Sequence, residues 1–274
     1  MTVIFSDLDG TLLDRDTYAW DAAEPALRLL KDCGIAWVLV TSKTRAEVEH
    51  WRRVLENDHP FVVENGGAIF VPASYFGGLP NARRWNGYDV IDPGKPYAEV
   101  IARLELASRA SQCRVRGFHE MTAEEVAVAC HLPAEQAVLA KQREFDEPFE
   151  VIDLERAGEL EAAIAAQGMK SVRGGRFQHV SGQHDKGCAV KLLTSLFRRR
   201  ADSQVTAIGL GDSLNDIPLL EAVDVPVVVR SADMGAILER VPLALVADRK
   251  GPEGWSDAVL DILRDHSCDQ DETA

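Results

Sequence analysis

Short apolar runs alternate with helix-type patterns over roughly the first 70 residues of the chain. The runs "TVIF" and "IAWVLVTS" predict buried strands, and an amphipathic pattern over Asp21–Cys33 predicts a helix that ends at Gly34. Thr44 and Glu47 form a capping box at the start of a second predicted helix. The segment "FVVENGGAIFV" predicts two strands joined by a tight turn at Asn-Gly-Gly.

The last third of the chain returns to the same alternation. The runs "VTAIGLGD", "VPVVV" and "ALVAD" predict strands, and helices are expected near Leu214–Ala222, near Ala232–Arg240 and from about Trp255. Apolar strands separated by helices are typical of a parallel sheet that is covered on both faces. We therefore predict an α/β fold whose core is a doubly wound, Rossmann-like parallel sheet.

The middle of the chain has a different pattern. From about Arg83 it becomes richer in Gly and Pro and then largely helical, with edge-type segments such as "CRVRGF", "FEVID" and "KSVRGGRFQHVSG" between the helices. We interpret this region as an α+β domain inserted between the two halves of the parallel-sheet domain. The predicted boundaries are 1–82 and 183–274 for the core and 83–182 for the inserted domain.

The composition is that of a soluble globular protein, with 46% hydrophobic and 27% charged residues among 274. The apolar runs are far too short to span a membrane, and the N-terminus lacks the basic region of a secretory signal. The five cysteines are scattered and form no CxxC pair, which indicates neither a disulfide framework nor a zinc site. A reduced, cytoplasmic setting is expected.

The charge balance limits the partners that the protein can have. A formal net charge of −14 disfavours nucleic acid, because binding to phosphates requires a basic face. A small phosphorylated substrate remains possible, since a bound cation and a few basic side chains can reverse the charge inside one pocket. We therefore expect a small-molecule substrate and neither a nucleic-acid nor a membrane partner, and the oligomeric state stays open.

Two carboxylates, Asp7 and Asp9, stand where the first predicted strand runs into a Gly-Thr turn. On an extended strand both would point to one face, about 6.6 Å apart along the chain. Like charges placed together require a cation or a shared proton. Because Gly10 permits a turn, Asp9 is expected just past the end of the strand. The pair alone leaves open a metal site, acid–base chemistry and an ordinary acidic turn.

Polar residues also follow other predicted strands, at the edge where ligands bind in doubly wound sheets. "VLVTSKT" carries Ser42, "GLGDSLND" carries Asp212, and "DKGCAV" places Lys186 at the start of a helix. Each motif alone is weak, because Ser42 could cap a strand end, Lys186 could lie on a helix surface, and the Asp212 loop could be a capped turn. Their conjunction in one chain favours a functional site.

These blocks resemble, in order, the four sequence blocks of the haloacid dehalogenase-like (HAD) superfamily of aspartyl-phosphate phosphatases, and the resemblance covers the whole chain. The large insertion is similar to the cap domain of the subgroup that acts on sugar phosphates. "TSKTRAE", "ENGGAIF", "AKQREFDEPF" and "GGRFQH" resemble segments of phosphatases that act on mannosyl-3-phosphoglycerate. The resemblance implies a Mg²⁺-dependent hydrolysis of that ester to mannosylglycerate and phosphate, with the glucosyl analogue as an alternative.

The resemblance also implies roles for individual residues. Asp7 would be the nucleophile that forms an aspartyl phosphate, and Asp9 would protonate the leaving oxygen and then activate water. Ser42 would hydrogen-bond the transferring phosphoryl group, and Lys186 would balance its charge. The implied Mg²⁺ ligands are Asp7, Asp9 through its backbone carbonyl, Asp212 and, as a further candidate, Asp216.

The carboxylate and hydroxyl groups of a sugar-glycerate substrate require basic and polar partners. The candidates from the core are Thr11, Lys43, Arg45, Glu64, Asn65, Gly66 and Asn215. The candidates from the insertion are Arg143, Glu144, Asp146, Arg173, Arg176 and His179. Arg143 and Asp146 are three apart on a predicted helix and could equally pair with each other, and His179 could be a structural residue.

Two other classes of function stay open. A phosphosugar mutase would return the phosphoryl group to a second hydroxyl and would yield an isomer rather than free phosphate. A non-catalytic phosphosugar-binding regulator is disfavoured by the intact pair Asp7 and Asp9, because a pure binder gains nothing from a nucleophile.

Overall fold

The structure is a computed structural model that describes residues 1–79, 82–201 and 204–271. The strands are β1 Thr2–Ser6, β2 Ala36–Val40, β3 Phe61–Val63, β4 Ala68–Pro72, β5 Arg83–Trp85, β6 Tyr88–Ile91, β7 Val115–Gly117, β8 Asp146–Val151, β9 Lys170–Arg173, β10 Gln178–Ser181, β11 Thr206–Gly211, β12 Val225–Val228 and β13 Leu245–Val246. The helices are α1 Glu24–Asp32, α2 Arg45–Val54, α3 Tyr97–Ser111, α4 Ala123–Cys130, α5 Ala134–Ala140, α6 Ala157–Ala166, α7 Lys186–Ala201, α8 Ile217–Leu220, α9 Met234–Arg240 and α10 Gly251–Asp271.

The chain forms two compact units, one made of Met1–Leu39 with Val190–Ala274 and the other of Val40–Ala189. These units are defined by packing, and the predicted domain boundaries at residues 82/83 and 182/183 stay a prediction.

The first unit is built on a parallel sheet with the strand order β13-β12-β11-β1-β2. β1, β2 and β11 are almost entirely buried, as their continuous apolar runs predict. Parallel strands end at the same edge of a sheet, so the residues that follow β1 and β11 become neighbours. The amide of Asp7 accordingly donates a hydrogen bond to the carbonyl of Leu210, at 3.0 Å. The predicted α/β fold is confirmed.

Two helices of the first unit are shorter than the sequence pattern predicts. A 3₁₀ turn over Asp21–Ala23 precedes α1, so the expected helix begins in a tighter geometry. A second 3₁₀ turn, Leu214–Asp216, precedes the four-residue α8, which starts beside Pro218. Proline has no amide proton and fits only the first turn of a helix, which sets this break.

In the second unit, β3, β4, β6 and β5 pair antiparallel in that order. β3 and β4 are joined by a turn in which Glu64, Asn65 and Gly66 have φ of 48°, 57° and 97°. The predicted strand–turn–strand segment is therefore confirmed. A Cβ atom on Gly66 would lie 2.2 Å from the carbonyl oxygen of Asp185. Glycine is therefore required both to avoid this clash and to adopt the positive φ.

A separate antiparallel sheet of the second unit has the strand order β7-β8-β10-β9. Helices α3 and α6 pack on it through a buried apolar cluster that includes Leu104, Phe149 and Ile164. Helices α4 and α5 form a smaller cluster with Phe118 and Phe177. These elements correspond to the helices and edge segments predicted for the middle of the chain.

The prediction that Arg143 and Asp146 lie on one helix is wrong. Helix α5 ends at Ala140, Arg143 lies in the connection that follows, and Asp146 opens β8, where it pairs with Ser181. The backbone of this segment is bound by partners distant in sequence, so helix-type spacing does not govern it.

None of the helices in the described part of the chain has an apolar stretch of sufficient length to cross a membrane.

Candidate active site

Three buried carboxylates meet at the edge of the parallel sheet in the first unit. Asp7 follows β1, Asp212 follows β11 and Asp216 closes the next 3₁₀ turn, and one oxygen of each lies within 4.8 Å of the others. Like charges this close and this deeply buried repel each other, and a bound cation would relieve this repulsion. An all-oxygen set of donors suits a hard cation such as Mg²⁺.

Several contacts orient Asp212. The hydroxyl of Thr11 donates to its Oδ1 at 3.0 Å, and that of Ser213 lies 3.3 Å from its Oδ2. Arg15 approaches Oδ2 to 3.9 Å from the partly exposed side. A Cβ atom on Gly10, whose φ is +83°, would lie 2.5 Å from the same oxygen. Glycine therefore allows the turn and also leaves room for the carboxylate.

Asp216 holds the loop that carries Asp212. Its Oδ2 accepts the backbone amides of Asp212 and Ser213 at 3.0 and 2.9 Å, within a capping box that begins at Ser213. The capped turn that the sequence left open as an alternative for this loop is thus present, and it carries the acidic cluster as well. Asn215, in the same 3₁₀ turn, is buried.

Asp9 lies past the end of the strand, as predicted. β1 ends at Ser6, Asp7 is buried, and Asp9 is half-buried on the turn at Gly10, where it forms a bridge with Leu13. The two acids therefore have different surroundings, and strand alternation does not relate them.

A buried chain of hydrogen bonds reaches the backbone of Asp7. Trp255 Nε1 donates to the Ser6 hydroxyl at 2.9 Å, and this hydroxyl donates to the carbonyl of Asp7 at 2.7 Å. No motif pointed to Ser6 and Trp255, because they are 249 residues apart. Only packing brings them together.

In the second unit, Ser42 and Lys43 lie between β2 and α2. Ser42 is half-buried. The ammonium group of Lys43 is buried and pairs with Glu47 Oε1 at 3.3 Å. Glu47 also completes the predicted capping box with Thr44, which is confirmed.

The carboxylate of Glu64 is completely buried. It accepts the backbone amides of Glu144, Phe145 and Asp146 at 2.9, 2.7 and 2.9 Å, and Arg143 Nε lies 3.6 Å from its Oε2. Burial raises the pKa of Glu64 to about 7, although Arg143 and the amides oppose this rise. Glu64 thus binds a segment 80 residues further along the chain.

Asp146 is the centre of a second set of contacts. Its carboxylate forms an ion pair with Arg143, accepts the amide of Asn65 at 2.8 Å, and lies 3.0 Å from His179 Nδ1. Burial, together with the charges of Arg143 and Lys186, lowers the pKa of His179 to about 3. The imidazole is therefore neutral at neutral pH, and its contact with the carboxylate assigns the proton to Nδ1.

The remaining candidates of the second unit lie in different surroundings. Lys186 begins α7, as predicted, and is completely buried. Arg45 pairs with Glu144 at 2.9 Å and stacks on Trp85, 4.4 Å from the ring centroid. Arg173 and Arg176 are exposed, and Arg176 donates to the carbonyl of Cys130.

A polar cluster around Glu147 is not indicated by any sequence motif. This buried carboxylate accepts the hydroxyl of Tyr97 and contacts His119 Nδ1, both at 2.6 Å. Burial and the charge of Glu147 raise the pKa of Tyr97. The three residues come from separate elements, so no spacing rule could have identified them.

Comparison with known proteins places this geometry in a family. Residues 4–75 match the model of the haloacid dehalogenase-like hydrolases. A Methanococcoides burtonii protein named glucosyl-3-phosphoglycerate/mannosyl-3-phosphoglycerate phosphatase is 42% identical over 265 residues, which cover 95% of this chain and 97% of that protein. A Pyrococcus horikoshii mannosyl-3-phosphoglycerate phosphatase is 35% identical, with 84% of this chain and 90% of that protein covered.

The fold has solved counterparts as well. A phosphatase of the haloalkanoate enzyme superfamily from Bacteroides thetaiotaomicron matches with a TM-score of 0.65 at 18% identity, covering 95% of this chain and 94% of that one. The cluster of acids after β1 and β11, the fold and the full-length sequence similarity agree. The chain belongs to the haloacid dehalogenase-like family of phosphatases.

Proposed function

We propose that the protein is a Mg²⁺-dependent phosphatase that hydrolyses mannosyl-3-phosphoglycerate, and also its glucosyl analogue, to the glycosylglycerate and phosphate. The observation that carries the proposal is the 42% identity, over almost the whole chain, to a relative named for both esters. The buried acids Asp7, Asp212 and Asp216 supply chemistry that this reaction needs.

The three acids fit a divalent cation. They offer only oxygen atoms, they are buried, and they concentrate negative charge within 4.8 Å. Asp7, Asp212 and Asp216 would hold Mg²⁺, with the backbone carbonyl of Asp9 as a further ligand. The bound ion would neutralise negative charge on the phosphoryl oxygens.

The proposed chemistry has two steps. A carboxylate oxygen of Asp7 attacks phosphorus, the bond to the glycerate oxygen breaks, and Asp9 gives its proton to that oxygen. Asp9 then takes a proton from water, the water oxygen attacks phosphorus, and the bond to Asp7 breaks to release phosphate. Ser42 hydrogen-bonds the phosphoryl group and Lys186 offsets its charge in both steps.

The glycoside and glycerate groups need further partners. The neutral imidazole of His179 and the exposed guanidinium of Arg176 are candidates for the hydroxyl and carboxylate groups. The other proposed substrate residues are Thr11, Lys43, Arg45, Gly66, Arg173 and Asn215.

The test is a phosphate-release assay with mannosyl- and glucosyl-3-phosphoglycerate beside simple sugar phosphates. Both glycosides should release phosphate with a higher kcat/KM than the simple esters. An isomeric phosphate ester in place of free phosphate would identify a mutase and contradict the proposal.

Asp7→Asn tests the nucleophile in the same assay. The amide cannot form the acyl phosphate, so turnover should fall by at least about 10³-fold while circular dichroism shows an unchanged fold. Substantial activity of this variant would refute the assignment of Asp7.

A further inference from the structure

Arg143 reaches the backbone of Ser42, 101 residues earlier in the chain. Its Nη2 donates to the Ser42 carbonyl at 3.1 Å, and the whole residue is only 8% exposed. This places a side chain from the segment before β8 on the loop that carries the proposed phosphoryl-binding hydroxyl.

The guanidinium of Arg143 makes further contacts within the protein. Its Nε donates to the carbonyl of Asp146 at 3.2 Å, it forms an ion pair with the carboxylate of Asp146, and Glu64 lies 3.6 Å away. The planar, forked donor geometry of arginine suits such simultaneous contacts. Because Nε and Nη2 are directed at protein groups in the interior, these contacts favour a structural role for Arg143 over direct binding of a sugar or a glycerate.

The same network binds the residues on either side of Ser42. The amide of Asn65 donates to the carbonyl of Thr41, and the amide of Glu64 donates to that of Lys43, both at 3.0 Å. Three consecutive carbonyls, those of residues 41, 42 and 43, thus accept hydrogen bonds from Asn65, Arg143 and Glu64.

We propose that Arg143 is a positioning residue for Ser42. By binding the Ser42 carbonyl, it fixes the orientation of the peptide group that follows Ser42. The hydroxyl of Ser42 is thereby held in position to bind the phosphoryl group. The inference rests on the proposed function of Ser42 as a phosphoryl-binding group. It assigns Arg143 a positioning role in place of the direct contact with substrate that the resemblance implies. A displacement of about 1 Å in a group that binds the reacting phosphoryl can lower the rate of catalysis about 10²-fold.

The test uses Arg143→Lys, which keeps the positive charge beside the buried acids but cannot contact Asp146 and the Ser42 carbonyl together. The matched control is Arg52→Lys. Arg52 is also buried in the second unit and donates to a backbone carbonyl, but to that of His59 at 3.0 Å and not to one of residues 41–43. The readouts are kcat/KM for both glycosyl phosphoglycerates and for p-nitrophenyl phosphate, and calorimetric binding of tungstate with Mg²⁺ present.

Arg143→Lys should lower kcat/KM by about tenfold or more, by a similar factor for all the esters, and should weaken tungstate binding by about tenfold. Arg52→Lys should lower thermal stability and leave tungstate binding unchanged. A loss confined to the glycosides would mean that Arg143 contacts the substrate, and unchanged tungstate binding would mean that it does not position Ser42. Either result overturns the inference.

The proposed function can fail separately. A wild-type protein that hydrolyses p-nitrophenyl phosphate but neither glycoside would refute the proposed substrate, while the tungstate measurement still decides the role of Arg143. If Arg143→Lys does not fold, Asn65→Ala offers a second route. This substitution removes the hydrogen bond from Asn65 to Asp146, the carboxylate that pairs with Arg143. If Arg143 positions Ser42, Asn65→Ala should also bind tungstate more weakly.

Discussion

His184 shows how burial controls the charge of one residue. It is 4% exposed, and burial together with the charge of Lys170 lowers the pKa of His184 to about 4, against smaller opposing effects of the Glu64 backbone and Asp185. The folded protein thus binds the imidazole proton more weakly than the unfolded chain, whose histidines titrate near 6.5. This residue contributes stability above pH 6.5 that is lost as the pH falls towards about 4.

His184→Asn should therefore flatten the loss of stability between about pH 6.5 and pH 4. The shift corresponds to as much as about 3 kcal/mol of pH-dependent stability, which an uncharged side chain cannot provide. Urea unfolding at several pH values measures the slope. His131→Asn is the control, because His131 is exposed at a left-handed position that asparagine adopts readily, and its slope should match wild type. Equal slopes for all three proteins would contradict the account.

At the scale of elements, the turn between β3 and β4 organises the second unit. Glu64 and Asn65 adopt left-handed angles that are unfavourable for side-chain-bearing residues, at a cost of about 1 kcal/mol or more each. Glu64 binds the backbone amides of residues 144–146 and Asn65 binds the side chain of Asp146, and these contacts offset the cost. The strained turn therefore holds two distant parts of the chain at fixed positions.

Gly66→Ala should destabilise the protein by about 2–4 kcal/mol, because the new methyl group meets the Asp185 carbonyl and φ is unfavourable. Gly87→Ala, at a similar φ of +83° with nothing within 4 Å, carries only the backbone penalty of about 1 kcal/mol. Urea unfolding of both variants separates contact from backbone strain. Equal losses would show that the contact with Asp185 does not matter.

At the scale of the whole molecule, the acidic cluster lies in a chain that is already strongly negative, at −14. The surrounding charge adds to the repulsion among Asp7, Asp212 and Asp216, and it attracts cations to the protein. A divalent ion that binds the folded state alone stabilises it by mass action.

Mg²⁺ at about 100 times its Kd should therefore raise stability by about 2.7 kcal/mol, and EDTA should reverse the shift in Tm and stop turnover. Asp212→Asn should lose most of the Mg²⁺-dependent shift, whereas Asp257→Asn, at an exposed acid paired with Arg249, should keep it. Calorimetric scans with and without Mg²⁺ measure both. An undiminished shift in Asp212→Asn would place the ion elsewhere.

The sequence by itself determined the features that depend on neighbouring residues. Strand–helix alternation, the capping box at Thr44 and the position of Asp9 beyond the strand all follow from local spacing. The carboxyl-end rule for parallel strands also placed Asp7 and Asp212 at one edge of the sheet, because each follows a buried apolar strand.

Only the tertiary structure decided which distant groups are partners. The predicted helix around Arg143 is wrong because Glu64 takes the backbone amides there and Asp146 enters a strand. Sequence spacing likewise does not indicate the contact of Trp255 with Ser6 or that of Arg143 with the Ser42 carbonyl. Local rules extend over a few residues, whereas a buried polar group takes whichever partner the packing of the whole chain brings within hydrogen-bond distance.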